Sequence, residues 1–242
     1  MILIVFDVDG TLTATGHCDA KCYEPAFEEV FGLTLPTTDW HYYSHSVDTC
    51  IVNEAAEERR GTGATPEEMD RFEAVFVREL QEEYRINPGL FAEVPGARDM
   101  FEHIKQTGGM AAALATGGMR GSALFKLQCA GIDFTSVPGA FANDARTRID
   151  IMQLAIQRAG AEADRIVYVG DALWDVMACA ALGIPLIGIT HESPEERLRA
   201  AGVSVCLKGY EDLDAFFHAV QTATPPAYDP ARNPLPRVLP PA

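Results

Sequence analysis

The chain has 242 residues, 48% of them hydrophobic, and carries 35 Asp and Glu against 19 Lys and Arg, a formal net charge of −16. That length and apolar fraction suffice for one α/β domain with or without an insertion, whereas the acidic balance argues against nucleic acid, whose phosphates demand basic surface. No stretch of about 18 apolar residues is present to span a membrane, and no basic leader or cleavage site precedes the first apolar run, so we expect a cytoplasmic protein whose six cysteines are reduced thiols.

The first element expected is a strand at Ile2 to Phe6, a short continuous apolar run of the kind buried on both faces of a parallel sheet. It delivers Asp7 and Asp9, which as residues i and i+2 tend to face one place, and then turns at Gly10. Two acids that close raise each other's pKa unless a cation sits between them. Mg²⁺, which favours one or two carboxylates plus water and phosphate, is the natural partner. The plainer alternative is an Asp-Gly hairpin turn.

Residues 14–92 read as helical. Tyr23, Phe27, Val30 and Phe31 recur at helical spacing, and Val47, Ile51 and Ala55 suggest a second helix. Thr65-Pro66-Glu67-Glu68 is a helix start, with Thr as N-cap, Pro at the first position and Glu three residues after the cap. Met69, Phe72, Phe76, Leu80 and Tyr84 then mark one face of a long helix, broken at Asn87-Pro88-Gly89. His17, Cys18, Cys22, His41, His45 and Cys50 crowd this region, but their spacing matches no structural zinc pattern.

From Val94 onward strands alternate with helices. A helix over about 97–107 leads to a strand at Met110 to Ala115, which ends in Thr116-Gly117-Gly118. A helix through Leu124 and Leu127 closes at Gly131, and a short strand is expected near Phe134–Val137 or Ala140–Ala142. A helix follows Arg148. A strand at Ile166 to Val169 ends in Gly170-Asp171, and the helix after it stops at Gly183. A strand at Pro185 to Ile189, a helix opened by Ser193-Pro194-Glu195-Glu196, a last strand at Val203 to Leu207 and a helix over about 212–220 complete the pattern. Such alternation implies a Rossmann-like, doubly wound parallel sheet. Residues 224–242 hold seven prolines and should be extended or packed along the surface.

Ligands of open α/β sheets sit beyond the carboxyl ends of the strands. Asp7 with Asp9, Thr116 with Gly117, Arg148, and Asp171 with Asp175 all fall at such ends or close to one. Thr116-Gly117 offers a hydroxyl and backbone N–H groups of the kind a phosphate oxygen needs. Asp171 and Asp175, spaced i and i+4 at a helix start, would lie on one face.

Asp7-Val8-Asp9-Gly10-Thr11, directly after an N-terminal strand, resembles motif I of the haloacid dehalogenase (HAD) superfamily, a group dominated by Mg²⁺-dependent phosphatases. Leu114-Ala115-Thr116-Gly117-Gly118 and Gly170-Asp171-Ala172-Leu173-Trp174-Asp175 resemble its motifs II and IV. Motif III usually carries Lys; here Arg148, directly before a helix, is a better match than Arg146. The resemblance implies an α/β core at 1–13 and 93–223, a C1-type helical cap at 14–92 with hinges near 13–16 and 88–95, and the tail at 224–242. It implies Asp7 as nucleophile, Asp9 as acid/base, Thr116, Gly117 and Arg148 as phosphate ligands, and Mg²⁺ held by Asp7, the Asp9 main-chain carbonyl and Asp171, with Asp175 behind them. Tyr42, Tyr43, His45, Ser46 and Asp48 loosely resemble a cap loop of relatives, without its Gly and Thr.

The function expected is hydrolysis of a small phosphorylated metabolite, phosphoglycolate-like enzymes being similar, by a monomer or homodimer. A β-phosphoglucomutase-like mutase shares every core motif. A haloacid dehalogenase needs neither metal nor Asp9, and a non-catalytic binding module has no need of a nucleophile.

Overall fold

The computed structural model describes residues 1–160 and 162–229. Six strands form one all-parallel sheet: β1 (Ile2–Phe6), β2 (Met110–Ala115), β3 (Gly139–Ala140), β4 (Arg165–Gly170), β5 (Leu186–Ile189) and β6 (Val205–Leu207). Their spatial order is β3-β2-β1-β4-β5-β6. The chain builds outward from β1 in one direction and then returns to its other side, so the switch in strand order falls at β1 and β4, where open α/β sheets bind ligands.

The alternating side chains of β1 show why the run is apolar throughout. Leu3 and Val5 join one buried cluster, with Ile151, Met152 and Ala155 of α6 (Arg148–Ala159) and Val176 and Cys179 of α7 (Leu173–Leu182). Ile4 and Phe6 join the other, with Met100 and Phe101 of α4 (Ala97–Gln106), Leu127 of α5 (Arg120–Cys129) and Phe216 of α9 (Leu213–Thr222). Helices therefore cover both faces. The last helix of the set, α8 (Glu195–Ala200), packs Leu198 against β5 and β6.

Between β1 and α4 the chain adds no strand to the sheet. It forms α1 (Gly16–Phe31), α2 (Asp48–Arg60) and α3 (Pro66–Ile86), with 3₁₀ turns at Trp40–Tyr42 and Pro88–Phe91. The Thr65 capping box is present in both directions, Thr65 Oγ1 accepting from the Glu68 N–H at 3.2 Å and Glu68 accepting from the Thr65 N–H at 2.9 Å. Phe72 and Phe76 of α3 stack edge-on to Tyr23 of α1. The two connections into this helical segment run side by side: Ala14 N–H donates to Ala92 and Val94 N–H to Leu12, both at 2.9 Å.

Three elements differ from expectation. Neither candidate range near 132–142 is the strand as drawn; β3 is only Gly139–Ala140, because Pro138 precedes it and the chain turns away at Phe141. The strand expected from Val203 begins at Val205. At Ser193-Pro194-Glu195-Glu196 no side chain caps the helix, since the Ser193 hydroxyl is turned to Asp171 instead. Of the proline-rich tail, Thr224 accepts from the Leu186 N–H and Ala227 donates to Gly202, which lays the tail's start along the surface; residues 230–242 lie outside the described residues.

Candidate active site

After Phe6 the backbone folds onto the Val8 carbonyl, which accepts from the N–H groups of Thr11, Leu12 and Thr13. Gly10 takes φ +70°, and a Cβ there would run into the Asp171 carboxylate. That position therefore needs glycine both for its conformation and for the approach of β4's following loop. Because β1, β2 and β4 are in register, with Phe6 opposite Leu114 and Val169, Asp7, Thr116 and Asp171 emerge side by side.

Asp7 is buried. One carboxylate oxygen of each of Asp7, Asp171 and Asp175 lies within 4.8 Å of the others. Burial pushes the Asp171 carboxyl well above the usual range, with Asp175 and Asp7 adding to it. Burial and then Asp7 push Asp175 up in the same way. Asp171 is not on the helix as its spacing suggested. It precedes α7 by two residues, and Thr11 Oγ1 (3.5 Å) and Ser193 Oγ (3.0 Å) donate to it. Asp175 is fully enclosed and takes bonds from the Ala172 N–H and the Tyr168 hydroxyl, each at 3.2 Å.

Arg148 is the cation opposed to this group. Its Nη1 lies 3.1 Å from Asp7 Oδ1 and 3.5 Å from Asp175 Oδ1. Its Nε donates to the Ser46 carbonyl at 3.3 Å. Burial alone would lower its pKa, but Asp7 and Asp175 outweigh that and raise it. Asp7 Oδ1 nevertheless lacks an aligned hydrogen-bond donor. Three hard oxygen donors, one of them unsatisfied and all desolvated, fit a divalent cation such as Mg²⁺. Arg146, the other candidate, is exposed, and its carbonyl accepts from Cys50 Sγ.

Thr116 is buried at the end of β2, its Oγ1 accepting from the Gly118 N–H at 3.1 Å. Gly117 sits where a Cβ would strike the Ser46 carbonyl and the Arg148 guanidinium. Asp9 Oδ1 accepts from Thr15 Oγ1 at 2.5 Å and lies 2.9 Å from Lys126 Nζ. Lys126 also pairs with Asp19 of α1. Burial would lower the Lys126 pKa, yet Asp19 and Asp9 together raise it.

Sequence reasoning missed Lys126, Thr15, Asp19, Tyr168 and Ser193. The one available signal was Lys126 itself, a charged residue beside Leu127 and three after Ala123 on an otherwise buried helix face. Of the residues Tyr42, Tyr43, His45, Ser46 and Asp48, the structure puts Ser46 and Asp48 on the cavity wall. Tyr42 bonds Glu58, Tyr43 bonds the Thr37 carbonyl, and His45 is exposed. Among the described residues the His and Cys side chains noted above form no metal-ligand group.

Of the residues described, Asp7, Asp9, Thr116, Gly117, Arg148 and Asp171 line one cavity of about 300 Å³, with Asp7, Asp9, Asp171 and Thr116 at its floor and Trp40, Asp48, Trp174 and Glu192 around it. The family model for haloacid dehalogenase-like hydrolases matches residues 2–183, which spans the strands carrying all four floor residues. The chain belongs to the haloacid dehalogenase-like hydrolase family. "Probable phosphatase IndB" of Dickeya dadantii (strain 3937) is 26% identical over 231 residues, 90% of this chain and 94% of that protein. A hydrolase from Pseudomonas syringae shares the fold with a TM-score of 0.67 at 19% identity, over 93% of this chain and all of that one. A Bacteroides vulgatus protein provisionally named a β-phosphoglucomutase does so with a TM-score of 0.64 at 19% identity, over 93% of this chain and 90% of its own. In this hydrolase Trp40, Ser46 and Asp48 of the helical segment contribute to the cavity wall.

Proposed function

We propose that this chain is a Mg²⁺-dependent phosphomonoesterase that acts on a small phosphorylated metabolite through an aspartyl-phosphate on Asp7. The observation that carries the reading is the meeting of Asp7, Thr116 and Asp171, from adjacent strand ends, with Arg148 at the start of α6, around a cavity of metabolite size. The family and the name given to the Dickeya dadantii relative support it.

An Asp7 carboxylate oxygen attacks phosphorus, and the bond to the leaving alcohol breaks in line. The Thr116 hydroxyl, the Gly117 N–H and the Arg148 guanidinium hold the phosphoryl oxygens, Arg148 through its planar fork. Asp9 gives its proton to the departing alkoxide and then takes one from the water that attacks the aspartyl-phosphate. Thr15 and Lys126 fix one Asp9 oxygen, which leaves Oδ2 for the proton transfers. Asp7, the Asp9 carbonyl and Asp171 would hold Mg²⁺, with Asp175 steadying the group from behind. When bound, the cation offsets the repulsion between Asp7 and the phosphate dianion. The helical segment at 14–92 acts as the cap, excluding bulk water on closure.

The test is phosphate release from a panel of phosphorylated metabolites, with Mg²⁺ or with EDTA. We expect release that EDTA abolishes, and an Asp7→Asn variant that keeps its circular dichroism spectrum while losing about 10⁴-fold or more in kcat. An active Asp7→Asn enzyme would sink the covalent route. Halide release without Mg²⁺ would favour a dehalogenase, and isomerised sugar phosphate with a bisphosphate activator a mutase.

A further inference from the structure

The cavity wall away from Asp7 is itself selective. Among the described residues lining the cavity, the acids are Asp7, Asp9, Asp19, Asp48, Asp171 and Glu192, and the only arginine or lysine is Arg148. Arg148 is already committed to Asp7, Asp175 and the Ser46 carbonyl. Lys126, just behind, is 1% exposed and held between Asp9 and Asp19. His17 is exposed at the rim. A second anion on the substrate would therefore face Asp48 and Glu192, with Asp19 already paired to Lys126 and no free lysine or arginine to receive it, and like charges so juxtaposed repel.

The same wall is built for hydroxyl groups. Its carboxylates accept hydrogen bonds, and the Trp174 indole N–H is a buried donor without a protein partner. A hydroxyl both donates and accepts and so satisfies both kinds of group, whereas an ammonium only donates. Trp40, backed by Tyr23 at 5.1 Å, and Trp174 add flat apolar faces suited to the C–H surfaces of a sugar or polyol.

We infer that the leaving group is an uncharged, hydroxyl-rich alcohol, and that phosphoesters bearing a carboxylate or a second phosphate are poor substrates. This rests on the phosphatase reading above. It also weighs against the phosphoglycolate-like and bisphosphate-using alternatives.

The experiment compares kcat/KM for glucose 6-phosphate and ribose 5-phosphate with that for 2-phosphoglycolate, fructose 1,6-bisphosphate and O-phosphoethanolamine. p-Nitrophenyl phosphate is the generic probe, with Mg²⁺ throughout. The better sugar phosphate should exceed 2-phosphoglycolate and the bisphosphate by about tenfold or more. Glu192→Lys, at an exposed position, should raise the ratio of 2-phosphoglycolate to glucose 6-phosphate by about tenfold, and Glu192→Gln should move it part-way. A wild-type preference for 2-phosphoglycolate or the bisphosphate, or a Glu192→Lys ratio that stays put, overturns the inference while leaving the phosphatase reading intact. A preference for O-phosphoethanolamine overturns the hydroxyl assignment in favour of an ammonium. No Mg²⁺-dependent release from any probe, p-nitrophenyl phosphate included, fails the phosphatase reading itself and takes the inference with it.

Discussion

Lys126 joins two carboxylates from different parts of the chain, Asp9 after β1 and Asp19 in α1, at a point where its side chain is 1% exposed. Removing a partner from a buried ion pair strands the remaining charges, at a cost of about 3–5 kcal/mol. Lys126→Met should therefore lower the unfolding free energy by that order, read in urea titrations. If Lys126 holds Asp19 in place, the loss in Lys126→Met must shrink when Asp19 is already Asn. We expect a coupling of about 1–3 kcal/mol in that double-mutant cycle. Strictly additive effects would show that the two side chains are neighbours without being partners. No spacing rule announces this lysine, because its partners are 117 and 107 positions earlier in number, at Asp9 and Asp19. By contrast Asp7 and Asp171 could be read directly, since each ends an apolar strand run and the parallel register brings such ends together.

At the scale of elements, the sheet was legible because buried parallel strands are written as unbroken apolar runs, as in Ile2–Phe6 and Met110–Ala115. The long helix α3 was legible because its cap and its apolar stripe agree. The strand β3 was not, since a two-residue edge strand has too little sequence to carry a period. Ser193 shows a second limit: Ser-x-x-Glu predicts a helix cap, but a buried carboxylate nearby is the stronger acceptor and takes the hydroxyl. At the start of α2, Asp48 is half-buried on the cavity wall, and desolvation raises its carboxyl to about 6, against the opposing pull of Lys126 and the Met119 N–H. A folded-state pKa above the unfolded value near 3.8 means that the native state binds the proton more tightly. Stability is then lost as pH rises from about 4 to about 6, by roughly 3 kcal/mol for two pKa units. Asp48→Asn keeps an acceptor for Met119 without that cost. In EDTA it should exceed the wild type by about 2–3 kcal/mol at pH 7.5 and match it near pH 4, as measured by chemical denaturation. An equal difference at both pH values would show that ionisation of Asp48 is not the cause.

At the scale of the molecule, the helical segment meets the core through one shared buried cluster, with Tyr84 and Phe91 edge-on to Phe125 of α5, and through polar bonds that cross the seam. Near the cavity the polar bonds include the Asp48 N–H to the Gly117 carbonyl at 2.8 Å, the Met119 N–H to Asp48 at 2.9 Å and Thr49 Oγ1 to the Ala142 carbonyl at 3.0 Å, beside Arg148 to the Ser46 carbonyl and Lys126 to Asp19. On the side of α3, the polar link is Glu73, whose carboxylate accepts from the Gly121 N–H and from Asn143 Nδ2, each at 2.6 Å. Polar contacts of this kind re-form with water at little net cost, so they are the part of the seam that can part and rejoin most readily. Glu73 contacts none of the candidate catalytic side chains in these bonds, and Phe72, Phe76 and Leu80 anchor α3 without it. Each charge-assisted bond contributes about 1.5–3 kcal/mol when formed, less for a half-exposed group. Glu73→Ala should thus shift the segment toward an open arrangement while barely changing global unfolding. Limited proteolysis should cut faster near residues 13–16 and 88–95. On the phosphatase reading, kcat/KM should fall about three- to tenfold with Tm within about 2 °C of wild type. Unchanged proteolysis at an unchanged Tm would mean that the closed arrangement does not depend on this bridge. A Tm loss as large as that expected for Lys126→Met would mean that Glu73 braces the fold rather than the closure.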